Sequence, residues 1–594
     1  MRLSRRVLLN GSAGAIMSAF GAKSPGVRVN RKDSLLVGNY FQPAGLDGIS
    51  PAGDLLRRSE MLFGRLQDPL FHFEFLSKMS MPDAPGDALG RAILALTLLS
   101  RLLNQRSPFL NEIVSHLPER LNVQGYIGDV TPAGFANESQ LAGHNGLLRG
   151  LCEYYLWTND GQIRTIIDRI TTNLVSPAQN CFPDYPLLPS AARRNRDLVI
   201  GAPVDAQGKW KGLSSDVGQV FMVLDGATQA YEISKSSELA SAIEAIVARF
   251  AQIDPVAAGV QTHGMLTAVR GILRFFELTG SVPFLKLAEA RFRLYKAQAM
   301  TANFANYNWF GRPEWTEPCA VIDSFTIACW LFRLTGNPEW LHDAHLIYYN
   351  GLLAGQRPNG GFGCDLCAGA RGRLSLAPFA KYFEAYWCCT MRGGEGLACA
   401  AQNNFLVRGD VVVMPFFHEG TWDLRFTNDT CRIRVSSSYP FEGDVRIVVL
   451  EARSSVQKRL RIFTPSWIAA DSLRVFVSGR QQSTAIQDSF IEIVTRMEAG
   501  TSINLQFELA SRSFPSISQP KMPSYVSYFR GPVLLSHDGK SPAVQKSHAP
   551  MLPLGEGRVL NPETGALLEP LSNLTYLSEV AAEHSDRQIL FPAS

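Results

Sequence analysis

The chain has 594 residues, of which 46% are hydrophobic, 19% charged and 10% aromatic, with a formal net charge of +4. This composition excludes a disordered or low-complexity protein, and the length exceeds what one hydrophobic core supports, so at least two domains are expected. Three of the positive charges, Arg2, Arg5 and Arg6, stand in the first 22 residues, which hold no acid; the near-neutral remainder offers no basic surface for nucleic acid.

Residues 1–22 pair Arg5 and Arg6 ahead of a mild apolar run from Gly11 to Ala22. That pattern predicts a twin-arginine-type export signal, with a simple Sec-type leader as the alternative. The run is too short and small-sided to span a bilayer, and no later stretch reads as a transmembrane span. The mature protein is therefore expected to be periplasmic or secreted. Twin-arginine export moves proteins that are already folded.

Residues 35–405 are expected to form a helical domain. Apolar residues recur at helical spacing in Ala92–Leu103, Leu147–Leu156, Leu266–Leu278 and Phe325–Leu334. Two of these segments end alike, in Leu278-Thr279-Gly280 and Leu334-Thr335-Gly336, and Trp157-Thr158-Asn159 is a looser copy. Gly or Asn after an apolar helix is a C-cap signal. The two close copies are 56 positions apart, which fits one helical hairpin per repeat. Six hairpins would fill the segment, giving an (α/α)6 barrel, a closed double ring with a pocket at one end. An open solenoid is the alternative from periodicity alone.

After residue 405 the texture changes to short, β-branched, alternating segments, from Asp410–Phe417 to Ile503–Leu509. Residues 406–515 are expected to form an antiparallel β-sandwich. Residues 516–594 are rich in proline and read as an irregular, β-containing appendage with one good strand near Val533–Ser536.

Ten cysteines are too few for a disulfide scaffold, but six lie between positions 319 and 389, two of them adjacent. In Glu317-Pro318-Cys319, extended geometry points both outer side chains to one side. Cys388 and Cys389 follow Tyr386-Trp387 and precede Gly393-Gly394. Adjacent cysteines rarely pair with each other, whereas two sulfurs with Glu317 and Cys319 make a Cys3Glu set suited to tetrahedral Zn2+. Cys364 and Cys367 have a common zinc spacing too, and a disulfide or inert thiols are equally open there. Cys388 and Cys389 also have a plainer reading as space-filling thiols beneath aromatics. Cys152, Cys181, Cys329, Cys399 and Cys431 read as ordinary buried thiols.

On these residues the sequence resembles the β-L-arabinofuranosidases of glycoside hydrolase family 127 and the uncharacterised group around them, as a distant branch. Gly143-His144, His263-Gly264 with Ala268-Val269-Arg270-Gly271, Glu317-Pro318-Cys319, Trp387-Cys388-Cys389, Pro465-Ser466-Trp467 and Arg530-Gly531-Pro532 carry the likeness, which extends over most of the chain. The resemblance implies an (α/α)6 barrel followed by β-sandwich domains. It implies a retaining, exo-acting glycosidase that releases β-L-arabinofuranose or a similar sugar from a glycan. Glu317, Cys319, Cys388 and Cys389 would hold zinc, Cys388 would attack the anomeric carbon, and His144 and His263 would line the sugar pocket. Each histidine also has a plainer reading as a hydrogen-bonded helix-end residue.

The family's general acid is a Glu upstream of Glu-x-Cys, and here Thr301–Phe310 holds no acid. Glu314 is the nearest candidate and Glu384 a weaker one. Two other functions stay open on the sequence alone: a carboxylate-dependent hydrolase or lyase on an α/α barrel, for which Asp225 is one candidate residue, and a non-catalytic carbohydrate-binding relative.

Overall fold

The computed structural model describes residues 40–79, 84–190, 193, 201–204, 206–368, 372–377, 383–427, 429–453, 456–515, 525–538, 550–576 and 586–592. The expected export signal at 1–22 lies outside them. Among the described residues twelve helices have eight residues or more: α1 Gly53–Arg65, α2 Asp87–Leu102, α3 Pro108–His116, α4 Glu138–Thr158, α5 Gly161–Ile170, α6 Val223–Ser234, α7 Ser237–Gln252, α8 Thr262–Thr279, α9 Val282–Gln298, α10 Pro318–Thr335, α11 Glu339–Leu346 and α12 Cys389–Gln402.

These helices alternate in burial as they alternate in the chain. Helix α2 is buried nearly all round, as are α8, α10 and α12. By contrast α5 buries only Ile163, Ile166, Ile167 and Ile170, and α7 buries Leu239, Ala242, Ile243, Ile246, Val247 and Phe250. An all-round apolar helix belongs inside, and a one-stripe helix lies over it. Helix α2 packs on α4, α4 on α6, α6 on α8, α8 on α10, α10 on α12, and α12 returns to α2. That last contact closes the ring, so the helices form a six-hairpin barrel and not a solenoid. The repeated sequence endings are its caps: Asn159, Gly280 and Gly336 all take the left-handed conformation after α4, α8 and α10.

Helix α10 is long and apolar enough to cross a membrane, which differs from the sequence expectation that no such stretch exists. It is an inner helix with 83% of that window buried, and the core of the barrel accounts for its composition.

Beyond α12 the chain becomes β. One sheet runs in the order 42–43, 406–408, 411–414, 456–463, 490–497; a second runs 480–482, 474–477, 502–507, 443–452, 430–437, 420–425, 49–51. Alternate residues turn inward, among them Cys431, Ile433 and Val435 against Val445, Ile447 and Val449. A single hydrophobic cluster runs from the barrel into both sheets. Residues 42–51, expected to lie in the helical domain, instead supply an edge strand to each sheet.

The C-terminal tail is more regular than expected. Residues 511–515, 525–530, 533–536, 567–570, 558–560 and 552–555 form a further sheet, whose prolines stand at strand ends and edges. Asn350 ties this sheet to the barrel, donating to the Pro532 carbonyl and accepting from the Leu534 amide. Arg587–Gln588 pairs with Arg373–Leu374, and that strand pairs in turn with Asp365–Leu366, next to Cys364.

Candidate active site

Two inner helices begin at the same place. Glu317 is the N-cap of α10 with Pro318 in its first turn, where a missing N–H costs nothing. Cys388 is the N-cap of α12 and Cys389 its first residue. The two helix starts bring Cys319 Sγ to 3.6 Å from Cys389 Sγ, and Cys388 Sγ to 3.3 Å from Cys389 Sγ. One ligand atom each from Glu317, Cys319, Cys388 and Cys389 all lie within 4.8 Å of one another. Both helix dipoles point their positive ends at this cluster, which favours negative charge there.

The donor set fits a soft dication. Burial pushes the Cys319 and Cys389 thiols well above their ordinary range, and burial raises the Glu317 carboxyl as well. Glu317 Oε2 is buried with no hydrogen-bond partner among the described residues. Three crowded thiols and an unsatisfied carboxylate are costly together without a cation and favourable around one. The cluster can hold a metal ion.

Above it opens a cavity of about 460 Å3, whose wall includes Asp87, Arg91, Asp216, Gln219, Gln261, His263, Trp315, Glu317, Cys364, Trp387, Cys388 and Cys389. Among the three thiols of the cluster only Cys388 is not fully buried. Arg91 donates to Asp87 Oδ2 at 2.6 Å and to Cys319 Sγ at 3.4 Å, and its third nitrogen lies 3.4 Å from His263 Nε2. His263 Nδ1 stands 2.8 Å from Asp323 Oδ2. That carboxylate is held well below the usual range, since Arg392, His263 and Arg270 together outweigh its burial. Asp323 thus orients the His263 ring, whose other nitrogen faces the arginine beside the thiols.

Below the site the barrel axis is filled with ion pairs. Arg270 bonds Asp323 and Glu395, and Arg149 bonds Glu395 and Asp225. Asp225 is fully buried and also paired with Arg274. It is part of this structural network and does not face the cavity, so the carboxylate-based reading loses its candidate.

The other predicted residues separate. His263 reaches the cavity wall, and His144 does not. The His144 ring accepts the Ile127 amide at Nε2 (3.0 Å) and donates from Nδ1 to the Gln140 carbonyl (2.7 Å). Both nitrogens are used by backbone, which corrects its expected place in the sugar pocket and matches the helix-end reading. Glu314 also lies off the cavity wall: it is exposed and paired with Arg312 at 2.8 Å. Glu384 is buried but committed, accepting from Arg65, Thr390 and Asn359.

Cys364 and Cys367 form no disulfide. Both thiols are free; Cys364 is buried and lines the cavity with Cys389, while Cys367 is half-buried and off the cavity wall. Cys152, Cys181, Cys329, Cys399 and Cys431 are buried thiols.

Sequence reasoning missed Arg91, Gln261 and Asp216. Asp216 is 3% exposed, receives Trp309 Nε1–H at 2.9 Å and Gln261 Nε2–H at 3.2 Å, and burial pushes its carboxyl up to about 7. No motif marks Ser214-Ser215-Asp216-Val217; its partners lie 45 and 93 positions away.

Comparison with known proteins agrees with this architecture. Residues 411–509 match the family described as β-L-arabinofuranosidase, GH127 middle domain. A solved GH127 β-arabinofuranosidase superposes with a TM-score of 0.69 at 12% identity, covering 94% of this chain and 98% of that one. A GH127 β-L-arabinofuranosidase from Geobacillus stearothermophilus gives 0.62 at 12% identity, covering 92% and 99%. A search of curated protein sequences gave no match. The β-rich middle of the chain thus matches the GH127 middle domain, and the chain as a whole has the fold of these solved GH127 enzymes.

Proposed function

We propose that this chain is a retaining, exo-acting glycosidase that releases β-L-arabinofuranose or a similar sugar from a glycan, with Cys388 as nucleophile and zinc held by Glu317, Cys319, Cys388 and Cys389. The observation that carries the reading is the exposure of one thiol out of three. Cys319 and Cys389 are buried, whereas Cys388 is half-buried at the cavity wall.

Bound zinc would lower the thiol pKa values, so that Cys388 is a thiolate at working pH. The chain's own residues do the rest. Arg91 adds a fixed positive charge beside the sulfurs, and the two helix starts add their dipoles. Cys388 Sγ attacks the anomeric carbon as the glycosidic C–O bond breaks. Water then attacks the same carbon from the other direction and Sγ departs, so two inversions give net retention. His263, held by Asp323 on one ring nitrogen and facing Arg91 with the other, lines the cavity wall beside the thiols. The buried carbonyl oxygens of Gln219 and Gln261 have no partner among the described residues and suit a sugar hydroxyl. The Arg5-Arg6 leader supports a site of action outside the cytoplasm.

The test is hydrolysis of p-nitrophenyl β-L-arabinofuranoside by wild type and Cys388→Ala, with zinc measured in both and the product anomer followed by NMR. Wild type should turn over with retention and bind zinc, and Cys388→Ala should lose turnover by roughly 10^3-fold or more. A zinc-free wild type, or full activity in Cys388→Ala, would falsify the mechanism.

A further inference from the structure

A glycosidic oxygen leaves poorly unless it is protonated. Three carboxyl groups in the cavity wall could supply the proton, those of Asp87, Asp216 and Glu317. Glu317 belongs to the metal-binding cluster. Asp87 is committed to an ion pair with Arg91 at 2.6 Å. Among the described residues no cation pairs with the Asp216 side chain.

We propose that Asp216 is the general acid and base of this glycosidase, a role that rests on the thiolate reading above. The side chain is held in place from two sides. Trp309 Nε1–H fixes one carboxyl oxygen and Gln261 Nε2–H the other. The backbone is clamped too: the Asp216 amide donates to Ser214 Oγ at 3.1 Å, its carbonyl accepts from Arg193, and the Gln261 amide donates to the Val217 carbonyl. Trp309 comes from Thr301–Phe310, the stretch upstream of Glu317 that holds no acid of its own. That loop positions a carboxyl from another part of the chain.

Glu314 stands at the outer end of the same arrangement. It pairs with Arg312, whose guanidinium lies 3.9 Å above the Trp309 ring, and Trp309 bonds Asp216. The exposed carboxylate near the motif and the buried one at the cavity are thus two ends of one chain of contacts, and only the inner end meets substrate.

The electrostatic surroundings suit an acid. Burial is the main effect raising the Asp216 carboxyl; Trp309 opposes it, Glu317 and Glu138 add to it, and Arg193 opposes it, with the balance near 7. In the first step the carboxylic proton passes to the glycosidic oxygen as its C–O bond breaks and the S–C bond to Cys388 forms. In the second the Asp216 carboxylate takes a proton from water as the new C–O bond forms. The S–C electron pair then returns to sulfur, restoring both groups.

The experiment compares full-length, zinc-loaded wild type and Asp216→Asn on two β-L-arabinofuranosides. One has an alkyl leaving group that needs protonation, and the other a dinitrophenyl group that does not. We expect Asp216→Asn to lower kcat/KM on the alkyl glycoside by roughly 10^2-fold or more and to leave the dinitrophenyl value nearly intact. Azide, a nucleophile that needs no base, should speed turnover of the dinitrophenyl glycoside by the variant and give a glycosyl azide. Equal losses on both substrates, with no azide rescue, overturn the role of Asp216 while leaving the Cys388 reading standing. A wild type that turns over neither glycoside removes the glycosidase reading, and this role with it. Thermal unfolding and zinc content are measured alongside. If Asp216→Asn does not fold, wild type decides: kcat/KM for the alkyl glycoside should fall on the alkaline side as the acid loses its proton, with no such limb for the dinitrophenyl glycoside. The same limb on both substrates overturns the proposal.

Discussion

Cys319 and Cys389, 70 positions apart in the chain, bring their Sγ atoms to 3.6 Å because each sits in the first turn of an inner helix and those helices are neighbours in the ring. The contact therefore depends on barrel closure. It joins the metal cluster to the folded state, since an unfolded chain has no reason to keep these sulfurs together.

The first prediction follows from that dependence. Purified wild type should carry about one zinc per chain, bound by the Cys3Glu set. Glu317→Gln and Cys319→Ala should each reduce zinc content sharply in elemental analysis. A strong chelator should strip the ion and lower the thermal midpoint, because crowded, buried thiols then face one another without a cation. Stoichiometric zinc in Cys319→Ala would remove that sulfur from the ligand set.

Glu314→Gln should behave as a surface substitution. Its side chain is 42% exposed and its partner Arg312 is itself partly exposed, and such pairs are worth about 0–1 kcal/mol. Activity on p-nitrophenyl β-L-arabinofuranoside should stay within about twofold of wild type on that footing. A 100-fold loss would return Glu314 to the chemistry.

The sequence made the barrel legible where one turn of helix is enough to see it. A left-handed Gly after an apolar helix is a local signal, and it recurred at Gly280 and Gly336. The metal set was legible for another reason: its four ligands fall in two short segments, in residue types that seldom cluster by chance. What depends on distant partners stayed hidden. Asp216 gains its character from Trp309 and Gln261, and nothing within its own tripeptide foretells either contact. Gly-His at 143–144 reads alike whether the ring meets a cavity or a backbone amide, so His144 was misplaced. The edge strands at 42–43 and 49–51 are too short to show a period of two.

Buried histidines set the response to mild acid. His144, His345 and His418 are buried, and burial lowers their pKa values to about 4, 3 and 4 respectively. In the unfolded chain each would titrate near 6.5. Between those values the unfolded state binds protons that the folded state refuses, so stability falls as pH falls. Each group contributes on the order of 3 kcal/mol at full extent. The buried carboxyls of Asp216 and Asp343, pushed up to about 7 and about 6, act in the opposite sense over this interval, but the three histidines outweigh them, so urea midpoints should drop from pH 7 to pH 5. A midpoint constant across that interval would contradict the buried, neutral placement of all three.

The glycine pair behind the cysteines provides the sharpest packing test. A Cβ on Gly393 would lie 2.3 and 2.4 Å from atoms of the Phe362 ring and 3.1 Å from a Leu62 methyl. Phe362 has little freedom to yield. Its amide donates to Thr390 Oγ1 and its carbonyl accepts from the Ala385 amide, on either side of Cys388 and Cys389. Two residues further on lies Cys364, which shares the cavity wall with Cys388 and Cys389. Gly393→Ala should therefore cost about 1–3 kcal/mol by overpacking and displace the start of α12. Gly161, where an added Cβ meets nothing within 4 Å, is the control: Gly161→Ala should leave stability and zinc content unchanged. In Gly393→Ala, zinc content and turnover should fall together, because the strain enters through the residues that hold Cys388 and Cys389 in register with Cys319. A variant that loses stability yet keeps full zinc occupancy and turnover would show that the cluster tolerates movement of α12.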